Sequence, residues 1–235
     1  MQLILVRHGQ TPSNLLHALD TAAPGPGLTD LGHAQAQALG QSLGGTGIEA
    51  VFTSHLIRTQ LTAQPLLTSL GVEAESRPGI AEIVAGDLEM RTDREAHEIY
   101  LTTGFAWATG DLAVRMPGGE SGQELLARFD TVVEEVADLG LERVAFVTHG
   151  AVARVWAAAR AREVDIEQAA THPLRNTCRI ILEGDPVRGW QLLEWDVAPR
   201  GVDVGWSAQR LDEEEAEDVA EEGADAARES RRDEA

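Results

Sequence analysis

The chain has 235 residues, of which 43% are hydrophobic and 25% charged, and its formal charge is −20. That length and apolar content suffice for one large core, while so negative a field disfavours nucleic acid or an anionic membrane as a partner. All 19 basic residues are arginine, which excludes a Schiff-base lysine and a lysine-dependent phosphate loop.

The first element is QLILV, residues 2–6, a continuous β-prone run of the kind buried on both faces of a parallel sheet. Thr11 and Pro12 then supply a helix cap and a first-turn proline. An amphipathic helix is predicted from Thr29 along LTDLGHAQAQALGQSL, where leucine and alanine recur at helical spacing. AVFTS, residues 50–54, is the next strand, and HLIRTQLTAQPLLTSL the next helix, interrupted or kinked at Pro65. Residues 83–118 lack clear periodicity and read as an excursion beside the main layer. A helix is predicted over 120–139, a strand over RVAFVT at 143–148 and a helix over AVARVWAAARA at 151–161, and the β-prone segments TCRIIL and WQLLEWD close the body. Strands alternating with helices give the expected fold class, α/β, with three αβα layers and a mainly parallel central sheet.

In open α/β sheets, ligands collect outside the carboxyl ends of the strands. Arg7-His8-Gly9 follows the first strand and Thr148-His149-Gly150 follows RVAFV. One His-Gly after a strand is ordinarily a turn, but adjacent strands would bring two such junctions, and both imidazoles, to one pocket. Arg58, just past the 50–54 strand, can approach from the same edge. Two histidines with two arginines suit a dianionic oxyanion such as phosphate. The seven histidines have no zinc-site spacing with a cysteine and the carboxylates no calcium-loop pattern, so neither a metal nor a cofactor is expected.

Six ordered blocks, LVRHGQTPSN, GLTDLGHAQA, FTSHLIRTQLTA, AEIVAGDLE, PGGES and VTHG, span about residues 2–183. Together they resemble the histidine phosphatase superfamily, the phosphoglycerate mutase-like proteins. The resemblance implies that His8 is the nucleophile and becomes phosphorylated, while Arg7, Arg58 and His149 bind the phosphoryl oxygens. Asn14 matches a further phosphate contact and Glu82 the acid that protonates the leaving group, with Glu89 in the same segment as the alternative acid. Gln10 stands where many relatives have glutamate. An imidazole nitrogen that attacks phosphorus must be unprotonated, and a carbonyl accepting from the other ring nitrogen would fix that tautomer. PGGES reads as a turn before the 120–139 helix and is given no chemistry; the five tryptophans read as packing residues and Cys178 as a core thiol.

Two departures bear on substrate. Mutase relatives commonly carry an arginine-containing stretch after the first motif, whereas LLHALDTAAPGPG has none. AGDLEMRTDREAHEIY also differs from the mutase pattern and brings Arg91, Arg94 and His97 toward the substrate-facing excursion, with Arg91 and Arg94 taken as substrate-binding residues. The expected activity is therefore that of a metal-independent phosphomonoesterase acting on a small phosphorylated metabolite. A cofactor-dependent phosphoglycerate mutase and a non-catalytic phospholigand-binding relative are the alternatives.

The domain expected to carry this activity is 1–200, followed by an acidic, disordered tail at 201–235; residues 211–235 alone hold twelve acidic and three arginine residues, net −9. About five apolar residues without a preceding basic segment resemble neither a secretory leader nor the ~20-residue span a bilayer needs. With one cysteine, a cytoplasmic protein is expected. The expected partner is a small-molecule phosphate ester, with no nucleic acid and no membrane; the oligomeric state is open, a homodimer included.

Overall fold

Alternate residues of Gln2–Arg7 (β1) point to opposite faces of a sheet, and both faces are covered. Leu3 and Leu5 enter one apolar cluster, Ile4 and Val6 the other, and all four are buried. That arrangement explains why the run is continuously apolar rather than alternating. The computed structural model describes residues 1–196; the 201–235 tail and Trp206 lie outside the described residues.

The elements follow in the order Pro12–Leu15 (α1), Asp30–Leu43 (α2), Ala50–Thr53 (β2), Ile57–Leu70 (α3), Ala74–Ser76 (β3), Arg94–Ala108 (α4), Gly122–Ala137 (α5), Arg143–Thr148 (β4), Gly150–Arg160 (α6), Ile166–Thr171 (α7), Arg179–Asp185 (β5) and Gly189–Trp195 (β6). The sheet order is β3-β2-β4-β1-β5-β6. The first four strands are parallel, and β5 and β6 add antiparallel at one edge. Leu39, Leu43, Ala63 and Leu66 of α2 and α3 cover one face; Phe129, Val133, Val152 and Trp156 of α5 and α6 cover the other, giving the three expected layers.

Three elements escape the sequence pattern. β3 is three residues of Ala-Glu-Ser at an edge, too short and polar to alternate visibly. α7 is a six-residue helix capped by Asp165. α4 fills much of the segment read as aperiodic: Asp93 caps it, and Ala96, Tyr100, Gly104, Phe105 and Trp107 form its buried face. Thr102, Thr103 and Gly104 dilute the apolar stripe, with Gly104 packed against Ile83 and Val155. Pro65 lies inside α3, which runs from Ile57 to Leu70 without interruption. The helix expected over 120–139 starts at a capping box, with the Ser121 hydroxyl accepting from Glu124 N and the Glu124 carboxylate accepting from Ser121 N.

Candidate active site

Strand register builds the site. β1 and β4 pair with Arg7 opposite Thr148, and His8 N donates to Thr148 O at 3.0 Å, so His8 and His149 are the next residues on neighbouring strands. Their ring centroids lie 5.2 Å apart. β2 pairs with the other side of β4, and its continuation carries Ser54 and then Arg58 in the first turn of α3. The residues singled out in the sequence, two histidines and two arginines, thus meet at the carboxyl edge of three adjacent strands. Gly9 lets the His8 loop pass against Gly32 of α2: a Cβ on Gly9 would stand 2.7 Å from Gly32 O, and one on Gly32 2.2 Å from Gln10 O.

Hydrogen bonds define the protons. The single Nε–H of Arg58 faces His8 Nε2 at 3.2 Å and His149 Nδ1 at 3.3 Å, so both nitrogens are acceptors. The ring hydrogen of His8 is then on Nδ1, donated to Gly9 O at 2.8 Å, and that of His149 on Nε2, donated to Ser54 Oγ at 2.8 Å. Ser54 Oγ also accepts from Leu56 N and passes its own hydrogen to Thr59 Oγ1, which donates to Leu56 O. Burial, then Arg58 and Arg7, hold the pKa of His8 well below 6.5; burial, then Arg58 and His8, do the same for His149. Both imidazoles are neutral at pH 7, and His8 Nε2 carries no hydrogen and turns its lone pair to the Arg58 Nε–H.

Arg58 is 3% exposed. Its Nη2 donates to Asp20 O at 2.9 Å, and its buried Nη1 has no hydrogen-bond partner, with Asp20 Oδ1 at 3.9 Å. Arg7 extends from β1 to donate through Nη1 to Leu174 O. Asn14 Oδ1 accepts from Thr11 N and from Asn176 Nδ2, which leaves its amide hydrogens as the group a ligand can meet. Asn176 Nδ2 also donates to His8 O at 3.0 Å.

The two candidate acids sit differently. Glu82 lies over the N-terminus of α6, next to His149: Oε1 accepts from Val152 N and Ile83 N, and Oε2 from Ala151 N. It is the foremost anion acting on Arg58, ahead of Asp20, with Glu89 last among those that raise the Arg58 pKa against burial. Glu89 is turned to another task, accepting from Thr21 N, Thr21 Oγ1 and Ala22 N and so tying the 20–22 loop to the 86–90 turn. Behind Glu82, Arg128 of α5 donates to the carbonyls of Gly79, Ala81 and Glu82 while forming a two-pronged pair with Glu120. Glu120, in the block given no chemistry, holds this clamp and accepts from Val84 N. Arg128→Met would strand three carbonyls and a carboxylate that is only 11% exposed. The loss expected is about 2–3 kcal/mol by urea unfolding, below the figure for a fully buried pair because Arg128 is partly solvated.

Arg91 and Arg94 are not brought into this cluster. The Arg91 guanidinium forks onto Asp93 at 2.6 and 2.8 Å and reaches Glu95, and its pKa is raised by those bonds. Arg94 is an exposed first residue of α4.

The model of the histidine phosphatase superfamily, branch 1, matches residues 3–198. The chain belongs to that superfamily. A PE-PGRS family protein of Mycobacterium tuberculosis is 37% identical over 213 residues, 83% of this chain and 36% of that protein. A 2,3-bisphosphoglycerate-dependent phosphoglycerate mutase of Methylocella silvestris is 36% identical over 131 residues, 54% of this chain and 63% of that one. The chain therefore spans from about a third to under two thirds of the length of these curated relatives. Among solved structures, a mycobacterial glucosyl-3-phosphoglycerate phosphatase complexed with VO3 aligns at TM-score 0.70 and 25% identity, covering 84% of this chain and 99% of that one. The alpha-ribazole phosphatase of Shigella flexneri aligns at 0.65 and 25%, covering 86% and 100%.

Within this member of the superfamily, sequence reasoning missed the residues that aim the others. Ser54, Asn176, Arg128 and Asp20 are polar side chains with partners across the fold, and Thr59 supports Ser54 from the next turn. Only Ser54 and Thr59 carried a signal, standing inside the block FTSHLIRTQLTA. Cys178 is a core thiol as expected, with burial pushing its pKa up to about 12. Trp107, Trp156 and Trp190 are buried packing residues, the last two in edge contact.

Proposed function

We propose that this histidine phosphatase hydrolyses small phosphomonoesters through a phosphohistidine on His8 Nε2. The observation that carries the reading is the bare, inward-facing Nε2 of His8 against the Arg58 guanidinium and His149 Nδ1. A nucleophile needs no deprotonation there, and the charge developing on the phosphoryl oxygens meets preorganised donors. An incoming phosphoryl group takes over the Arg58 Nε–H, with Arg7 and the Asn14 amide as further donors. A monoanionic ester passes its hydroxyl proton to the Glu82 carboxylate, while His149 stays neutral with its Nε2–H on Ser54. The His8 Nε2–P bond forms as the ester P–O bond breaks, and Glu82 gives that proton to the departing oxygen. Water then attacks the phosphohistidine and breaks the N–P bond, Glu82 takes a proton from the water and returns it to the phosphate, and inorganic phosphate leaves with His8 and Glu82 restored.

Two phosphatases among the similar solved structures support hydrolysis, as does a 15–27 segment without arginine to hold a glycerate carboxylate. The relationship to phosphoglycerate mutases defines the rival. Phosphate release from phosphomonoesters is expected to outpace interconversion of 3-phosphoglycerate and 2-phosphoglycerate, with the bisphosphorylated primer present. Isomerisation faster than release by about a hundredfold would install the mutase in its place.

A further inference from the structure

Eight large apolar side chains are exposed among the described residues, and five of them, Leu15, Leu16, Ile57, Val84 and Met90, stand on the segments that adjoin Arg58. These segments are knitted into one rim. Asp20 O accepts from Arg58, Pro24 O from Ile57 N, Leu19 O from Met90 N, and Thr21 Oγ1 from Ala85 N. Elsewhere in the described chain the apolar side chains are overwhelmingly buried, so the concentration here is not what a folding core requires.

Met90 sharpens the point. Its φ is 60°, a left-handed conformation that glycine or asparagine adopts with less strain, and its side chain is 55% exposed. A long apolar side chain at such a position contributes little to the core while carrying backbone strain, which points to something that approaches from outside. His17, with φ 51°, is the rim's second residue of this kind. Several charges around the rim are meanwhile paired internally, Arg91 with Asp93 and Glu95, Glu120 with Arg128, and the Glu89 carboxylate with the 21–22 backbone, while Asp87 and Arg94 are exposed.

We infer that this rim selects phosphate esters whose alcohol is apolar, aliphatic or aromatic, over polyhydroxylated or carboxylated alcohols. The inference rests on the phosphatase reading of the same site. The phosphoryl group sits between Arg7, Arg58 and the two histidines, and the alcohol projects past Leu16, Ile57 and Met90, burying methylenes that water would otherwise surround.

The test is kcat/KM for phosphate release from ethyl, n-butyl and n-hexyl phosphate, with glycerol 1-phosphate as the polar comparison. Half-burial of each methylene predicts a gain of about twofold per carbon, and n-butyl phosphate well ahead of glycerol phosphate. In the double variant Leu16→Gln, Met90→Asn the hexyl-to-ethyl ratio should fall toward one; asparagine suits the left-handed backbone, and a within-protein ratio is insensitive to any loss of folded enzyme. Release at rates independent of chain length, or faster from glycerol phosphate, would overturn the apolar rim and leave the phosphatase reading standing. An unchanged ratio in the double variant would overturn the assignment to these side chains. Release from none of the esters would overturn the phosphatase reading and this inference with it.

Discussion

His8→Ala should form no phosphoenzyme, and its steady-state phosphate release should fall by roughly 10⁴-fold or more, as when an activated nucleophile is removed elsewhere. Rapid quenching with a radiolabelled ester checks this: acid-labile, base-stable label is expected at one equivalent on the native chain and none on the variant. Stoichiometric label persisting on His8→Ala would move the nucleophile. The pH dependence follows from the same environment. Burial, Arg58 and Arg7 hold the folded His8 below its ordinary 6.5, so the neutral, attacking form survives as pH falls and the acid limb of phosphoenzyme formation lies under 6.5. Between that folded value and 6.5 the unfolded chain binds more protons than the folded one. The stability contribution of a neutral His8 is therefore full above 6.5 and is lost as pH falls through that window. His149 acts in the same direction. Unfolding followed from pH 7 to 5 should consequently show a shallower acid loss in His8→Ala than in the native chain.

Glu82→Gln should slow phosphoenzyme formation from alkyl phosphates by about 10²- to 10⁴-fold, and much less from p-nitrophenyl phosphate. An alkoxide needs a proton to leave, whereas p-nitrophenolate departs without one. The amide also places an NH2 group where Oε2 now accepts from Ala151 N, so part of the loss will be positional. Comparing leaving groups separates the two, because a displaced α6 N-terminus would burden both substrates alike. Single-turnover rates are the measurement to use, since slowed water attack on the phosphohistidine would otherwise mask the first step. Equal losses on both substrates would leave Glu82 as a cap for α6 and direct attention to Glu89→Gln. The three bonds from Thr21 and Ala22 predict that the latter variant loosens the loop instead.

What could be read from the sequence divides along the reach of each interaction. β1, β4 and the helices that follow them were legible because apolar runs, a cap and a glycine are local signals. His8, His149, Arg7 and Arg58 were legible because each sits at a fixed offset from a strand end, and parallel pairing makes such offsets coincide in space. The tautomer of His149 was not legible, since it depends on Ser54, 95 residues away. Nor was the support of Glu82 by Arg128, or of the His8 carbonyl by Asn176, because nothing local distinguishes these side chains from solvated ones. The place of Arg91 in a segment that departs from the mutase pattern suggests a residue facing substrate, whereas its guanidinium is taken by Asp93, two residues on. α4 was lost because threonines and a glycine interrupt the stripe that its packing against α6 in fact tolerates.

The pairing of β1 with β4, residue against residue from Gln2–Arg143 to Arg7–Thr148, has a consequence for how this protein can change over generations. A single insertion in either strand would turn one imidazole to the opposite face of the sheet and end the reaction outright, so those twelve positions are frozen in length. The rim stands on loops that carry no strand register, one following β1 through α1 and the other following β3. Residues 15–27 and 83–93 can lengthen, shorten or exchange side chains while the two histidines stay opposed. The opposition of the two histidines is thereby insulated from changes of length in the segments proposed to meet the alcohol.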